Sequence, residues 1–235
     1  MKLKLCVVGF VLALTNVGAY SAEPLIPAAS KGWKYQDRGI RTNVNWRIAA
    51  FDDSRWSNGP ALLGYGDRDI RTQLSFGDNP RNKRRVAFFR RTFVAPRQFK
   101  RYFGEICCDD GAVVYVNGKE VQRFNMPAGP IRQNTLALSA VGSDSEVERK
   151  RHPFFIDPQL IQNGENVVAV SVHQANPTSS DLAFDLEFVG LESEEEIAQA
   201  QTEVDQHNRV NEARETNLGV SPVFHFKSGD PPKTQ

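Results

Sequence analysis

Cysteine is nearly absent: three occur in 235 residues, and one of these, Cys6, belongs to the leading apolar segment. The other two, Cys107 and Cys108, are adjacent. Neighbouring residues on a strand point to opposite faces, so a bridge between them would be strained, and a disulfide-stapled scaffold is excluded. Either one thiol packs inside while the other is semi-exposed and open to an intermolecular disulfide, or both are simply buried. Two adjacent thiols with no further Cys or His nearby are not a tetrahedral zinc set.

Histidine is almost as scarce. His152, His173, His207 and His225 are the whole supply, too few and too scattered for a dinuclear hydrolase centre. Missing too are the Gly-x-Ser-x-Gly elbow, the phosphate-binding loop and the His-Glu-x-x-His zinc motif. The chain therefore reads as non-enzymatic. A hydrolase with an unrecognised carboxylate pair stays open as a third reading, because acidic residues are plentiful.

Long hydrophobic runs are lacking as well. The apolar stretch Cys6 to Leu14 is too short to span a bilayer. With Lys2 and Lys4 before it and Ala19-Tyr20-Ser21-Ala22 after it, it reads as an export signal over residues 1–22, the mature chain starting near Ala22 or Glu23. A retained, uncleaved anchor is the alternative. The expectation is a secreted protein, periplasmic or extracellular, with no transmembrane span after cleavage.

One-sided charge is absent overall: the formal net charge is +1, and losing Lys2 and Lys4 with the leader leaves −1. Nothing global points to nucleic acid. Locally, Arg81, Lys83, Arg84, Arg85, Arg90, Arg91, Arg97, Lys100 and Arg101 follow one another with no intervening acid. This is either a footprint for a polyanion, acidic polysaccharide or nucleic acid, or a solvated loop beside a strand whose cations pair with carboxylates elsewhere.

What is present is β-structure. Asp109-Asp110-Gly111-Ala112-Val113-Val114-Tyr115-Val116-Asn117-Gly118-Lys119-Glu120-Val121 spells two strands joined by Asn-Gly, the residues that tolerate the positive φ of a type I′ turn. That turn places Val116 opposite Lys119 and Val114 opposite Val121. Ala112, Val114, Val116 and Val121 then form the core face, with Tyr115 and Glu120 on the other. Further strands are expected at Trp33–Gln36, Val86–Val94, Phe99–Cys108, Glu146–Ile156, Val167–Gln174 and Leu182–Val189. In the last, Leu182, Phe184, Leu186 and Phe188 share one face. Residues 43–66 read as a long decorated loop, and the prolines of Met126 to Pro130 exclude a central strand there. Seven or eight short strands without helical period indicate an all-β jelly-roll or related sandwich. About 160 residues suffice to bury roughly 68–70% of the unfolded surface.

Past Gly190 the composition turns polar. Ile197 and Val204 are seven apart but position 211 is Asn, so residues 191–235 read as a solvated helix or linker with a disordered end, not a coiled coil.

The Asp109 to Gly118 cassette followed by Asn125-Met126-Pro127-Ala128-Gly129 resembles a galactose-binding-like β-sandwich module. Phe51-Asp52-Asp53-Ser54-Arg55-Trp56, Leu63 to Asp67, Phe88 to Phe93, Asn163 to Gln174 and Ser180 to Leu186 match the same family in order, spanning residues 31–190. The resemblance implies a non-catalytic module of secreted multidomain bacterial proteins, of the kind found beside calcineurin-like phosphoesterase domains. Its ligand would be extracellular or cell-wall carbohydrate; the alternative is a protein-interaction module that docks an exported enzyme through the tail.

Candidate site residues follow from chemistry. Trp46, Trp56 and Tyr65 offer flat faces to sugar rings, or else plug the sandwich. His173, sharing a strand face with Ala169 and Ser171, lines a cleft near Asp185 or is a structural, hydrogen-bonded histidine. Alternation sends Arg90 and Arg91 to opposite faces, so one guanidinium, with Arg91 the candidate for ligand binding, needs an acidic partner or an anionic ligand. Asp109 and Asp110 are possible calcium ligands, provided Asp67, Asp69 or Asp78 completes the shell; the plain alternative is a tight turn before Gly111.

Overall fold

Alternation decides which side of each strand is buried, and here the greasy sides of two six-stranded sheets close on each other. The computed structural model describes residues 22–40, 45–140 and 150–218. The expected export signal, residues 146–149 of the Glu146–Ile156 strand and the far tail lie outside these, apart from Ala22 at the end of the first.

The strands are β1 (Glu23–Ile26), β2 (Trp33–Gln36), β3 (Ser57–Gly59), β4 (Leu63–Tyr65), β5 (Thr72–Gln73), β6 (Val86–Ala95), β7 (Arg101–Asp109), β8 (Gly111–Val116), β9 (Lys119–Phe124), β10 (Arg151–Ile156), β11 (Gly164–His173) and β12 (Leu182–Leu191). One sheet runs β10-β7-β12-β4-β5, with β1 also paired to β12; the other runs β3-β2-β6-β11-β8-β9. The protein is an all-β sandwich, as the strand pattern predicts. Phe184, Phe188, Leu182 and Leu186 of β12 all face the core, as expected from their alternation. Phe89 of β6 stacks on Phe184 across the sheets at 4.1 Å, and Trp33 meets the same ring edge-on at 4.8 Å. Aromatic pairs of this geometry add to the area they bury.

The hairpin forms with φ of 47° at Asn117 and 86° at Gly118, and Val116 pairs with Lys119 and Tyr115 with Glu120. The expected Val114–Val121 pair does not form. A bulge between Val114 and Tyr115 brings Gln122 opposite Val114. Val121 still packs against the core, because a bulged residue can turn to the apolar side.

The decorated loop over residues 43–66 also contains structure: β3 pairs with β2, and β4 with β12. β1 lies before the expected start of the sandwich at residue 31 and joins the first sheet at Phe188–Gly190. Between β7 and β8 the chain passes from one sheet to the other at Asp110. Cys107 and Cys108 are free and both buried, Cys108 in the core and Cys107 opposite Arg151 of β10.

The polar tail is a helix, α1 (Glu194–Leu218). Ser193 and Glu196 form its capping box: Glu196 N donates to Ser193 Oγ at 3.1 Å, and Glu196 Oε2 accepts from Ser193 N at 3.0 Å. Rather than running free in solvent, α1 lays Ile197, Ala200 and Val204 against Phe103, Val189, Leu191 and Phe155 on the outside of the first sheet. No helix among the described residues is long and apolar enough to cross a membrane.

Candidate functional site

The predicted aromatic residues do not form a recognition surface. The outer face of the second sheet is apolar too, carrying Phe88, Val113, Tyr115 and Ala169, and Trp46 and Trp56 cover it. Trp46 stacks near Trp56 at 6.3 Å and meets Phe88 edge-on at 5.0 Å. Both indoles are buried, so neither ring face is free for a sugar. The signal for this cover was in the chain: Val86-Ala87-Phe88-Phe89 does not alternate, as in a strand buried on both faces.

Arg90 holds that cover in place from beneath. It is 2% exposed, its Nε donates to Asp53 Oδ2 at 2.8 Å, and its Nη1 donates to the Trp46 and Ile48 carbonyls. Arg91 points the other way and donates to Ser30 Oγ beside the Trp33 ring. Burial lowers its pKa, while Asp185 opposes the shift. Arg90, not Arg91, thus takes the acidic partner that alternation demands.

His173 is fully buried. Its Nδ1 donates to the Thr135 carbonyl at 2.8 Å, which leaves Nε2 to accept from Ser171 Oγ at 2.9 Å. Burial pushes its pKa down to about 4, so it is neutral at physiological pH. The structural reading of His173 thus fits its contacts; Asp185, near which a cleft was the other expectation, accepts from Arg151 Nη2 at 2.5 Å and from the amides of Ala29 and Leu186.

Tyr65, Asp109 and Asp110 do converge, at the end of the sandwich where β4, β7 and β11 finish, but the end is closed. Gln174 Nε2 donates to Tyr65 Oη at 2.9 Å and to the Asp181 carbonyl at 2.6 Å. Burial raises the Tyr65 pKa, and the charges of Asp109, Asp181 and Asp110 add to it. Asp110 Oδ2 accepts from Ala175 N at 2.7 Å, and both aspartates are 3% exposed. They serve the corner between sheets. A calcium ion needs six or more oxygens, and among the described residues no three His, Cys, Asp or Glu side chains gather to hold an ion.

Two open concavities among the described residues lie elsewhere, along the rim at the end of β2. A cleft of about 490 Å³ has Gln36, Asp37, Arg38, Arg55, Gln73 and Ser75 in its wall. Beside it a second, of about 370 Å³, is walled by Arg38, Asn82, Lys83, Arg84, Arg85 and Gln133. Arg38 belongs to both. Gln133, in the wall of the second, anchors the segment that follows Arg38: its Oε1 accepts from Ile40 N at 3.0 Å and its Nε2 donates to the Ile40 carbonyl. Asp37, the carboxylate among these residues, accepts from Ser75 N at 2.6 Å. None of Trp46, Trp56, Tyr65, Arg91 or His173 reaches either cleft. Of the wall residues, only the Arg81–Arg85 stretch was visible as a signal in the sequence. Arg38 and Gln133 carry no local pattern, and Arg55 lay in the family-like Phe51–Trp56 segment without being singled out.

The geometry defines a closed β-sandwich with an open polar rim. No family model matches the chain, and no curated protein matches it. Among solved structures it is similar to a β-glucuronidase of Bacteroides uniformis, with a TM-score of 0.46 and 17% identity over 71% of this chain and 18% of that one. It is also similar to a β-glucuronidase of an uncultured Clostridium sp., with a TM-score of 0.42 and 16% identity over 73% and 30% of the two chains. A glycosyl hydrolase family 2 member of Bacteroides cellulosilyticus gives 0.44 and 14%, over 70% and 20%. The chain spans less than a third of the length of each of these proteins.

Proposed function

We propose that the protein is an exported, non-catalytic binding module for extracellular or cell-wall carbohydrate, and that it binds at the rim. The observation behind this reading is the pair of adjoining clefts walled by planar amide and guanidinium groups. Such groups match sugar hydroxyls and carboxylates with paired hydrogen bonds. A glycosidase would require two carboxylates facing one another across the bond to be broken; the carboxylate in these walls, Asp37, is held by the Ser75 amide. The family resemblance of the Asp109 to Gly118 cassette supports the same reading.

The competing reading, a module that docks an exported enzyme through its tail, is weakened by one contact. The apolar stripe Ile197, Ala200 and Val204 is already spent on the protein's own first sheet.

A glycan array probed with the mature protein, with and without added calcium, tests the proposal. Binding to a defined set of glycans is the expected result, with calcium making no difference. Signal no greater than that of the heat-unfolded protein would reject it. Recovery of a stoichiometric exported protein after glycans are digested away would favour the docking reading instead.

A further inference from the structure

The nine cations from Arg81 to Arg101 are not alike. On and after β6, Arg90, Arg97 and Lys100 each have a carboxylate partner. Arg90 pairs with Asp53 at 2.8 Å, Arg97 with Glu192 at 2.5 Å and Lys100 with Glu194 at 3.0 Å, while Arg91 is bonded to Ser30. Those in the loop before β6 are different. Lys83 donates to the Ser179 and Ser180 carbonyls and lies over the Tyr65 and Phe76 rings, contacts that fix its position without neutralising it. Arg84 donates to the Asp37 carbonyl at 3.4 Å. Among the described residues, no carboxylate forms an ion pair with Lys83, Arg84, Arg85 or Arg38.

These four unneutralised cations wall one cleft, and Arg38 carries the positive wall on into the neighbouring cleft, where Arg55 adds a fifth. Concentrating like charge around a concavity raises the local potential and the local concentration of counter-ions. The self-repulsion is tolerated here because Arg38, Arg55 and Arg85 reach solvent.

Resting on the carbohydrate reading of the rim, we infer that the clefts bind the carboxylate or sulfate groups of an acidic polysaccharide. Arg38, Arg84 and Arg85 are the anion contacts, and the exposed Gln73 faces the hydroxyls. Guanidinium groups take carboxylate or sulfate oxygens in paired, charge-assisted hydrogen bonds. A nucleic acid fits less well. Single strands bind by stacking several bases on exposed aromatic platforms, whereas Trp46, Trp56 and Tyr65 are buried and one aromatic residue, the half-buried Tyr35, lines these clefts.

The test measures binding of the full exported chain to polygalacturonate, to a sulfated glycosaminoglycan, to neutral galactan and to a single-stranded oligonucleotide. The expected result is tightest binding to one of the two acidic polysaccharides, weakening at least about tenfold between about 50 and 200 mM salt. The variant Arg38→Gln/Arg84→Gln/Arg85→Gln should lose about tenfold or more at low salt, while Arg97→Gln/Lys100→Gln, which removes two carboxylate-paired cations, should bind as the wild type does. Circular dichroism and thermal melting establish that both variants are folded; if the triple variant is not, single Arg38→Gln and Arg85→Gln changes, at exposed positions, replace it. Neutral galactan bound as well as the acidic polymers, with the triple variant unaffected, would overturn this inference and leave the carbohydrate reading standing. Failure to bind any glycan would overturn both. Preference for the oligonucleotide would overturn the assignment to polysaccharide.

Discussion

His152 Nδ1 lies 3.2 Å from His207 Nε2, and this contact ties β10 of the sandwich to α1. The rings meet edge-on, and Asn211 reaches the same His207 nitrogen at 2.8 Å. One ring must donate and the other accept, so the pair holds only when it is not doubly protonated. Burial, then His207 and Lys150, pushes the His152 pKa down to about 3.

A folded-state pKa below that of the unfolded chain means that folding requires the proton to be off. The contribution to stability is complete above the unfolded value of about 6.5 and is lost as the pH falls from there towards 3, at about 1.4 kcal/mol per pH unit at most. His173, held near 4, works in the same direction. Glu105, which faces α1 and whose pKa burial and Glu203 raise, works in the opposite one at the acid end. Melting temperature should therefore fall between pH 7 and pH 5, and His152→Gln should reduce the slope to that left by His173. An unchanged slope in this variant would mean that the pair does not control the helix.

Arg90 gives a prediction of local character. Arg90→Ala would strand the Trp46 and Ile48 carbonyls and leave Asp53 without its cation. Each buried carbonyl left unpaired costs about 1–3 kcal/mol, whereas Asp53, 26% exposed, can be rehydrated, and the cost falls on the segment that carries both covering tryptophans. Urea unfolding should show the loss. Tryptophan emission should shift to longer wavelength before the far-ultraviolet circular dichroism changes, since Trp46 and Trp56 would reach water while the sheets persist. Asp53→Asn, which keeps a hydrogen-bond acceptor at a partly exposed position, should cost less.

How much of this was legible in the sequence depends on the range of the forces involved. The Asn117-Gly118 turn was readable because positive φ at two successive residues is a local demand, and β12 because its apolar side is one uninterrupted alternation. The short strands β3, β4 and β5 were not, because two or three residues carry no period and each depends on partners such as Trp33 or Leu182 supplied from elsewhere in the chain. The bulge at Val114 was hidden for the same reason: register depends on what both strands pack against. At the rim, the Arg81–Arg85 run signalled a cationic loop. That Arg38 joins it rests on Gln133 gripping Ile40 across 93 residues, which no local pattern announces. The tryptophans left two readings open because aromatic residues in a loop look alike whether they greet solvent or cover a sheet.

Asn117 does two jobs that substitution can separate. Its backbone sits at φ 47°. Its side chain donates to the Leu160 carbonyl at 2.8 Å and to Asn166 Oδ1 at 2.7 Å, and accepts from Val167 N at 2.9 Å. Asn117→Gly keeps the turn and loses the bonds, at about 1 kcal/mol for each that water does not replace. Asn117→Ala loses the bonds and adds a left-handed penalty of about 1 kcal/mol. Chemical denaturation should rank wild type above Asn117→Gly above Asn117→Ala. Equal stability of the two variants would show that the turn geometry contributes nothing.

Gly64 is the point where β4 presses closest on β12. A methyl group there would lie 1.8 Å from the Leu182 carbonyl oxygen, a backbone atom that cannot move without breaking the Ala183–Gly64 pairing. At Gly129 the same methyl would meet nothing within 4 Å, and only its φ of 84° would resist. Gly64→Ala should therefore destabilise by more than about 3 kcal/mol or prevent soluble expression, and Gly129→Ala by about 1 kcal/mol. Melting curves of the two variants decide it. A mild Gly64→Ala would mean that β4 is free to leave the sheet, and with it the closed end that Tyr65 helps to seal.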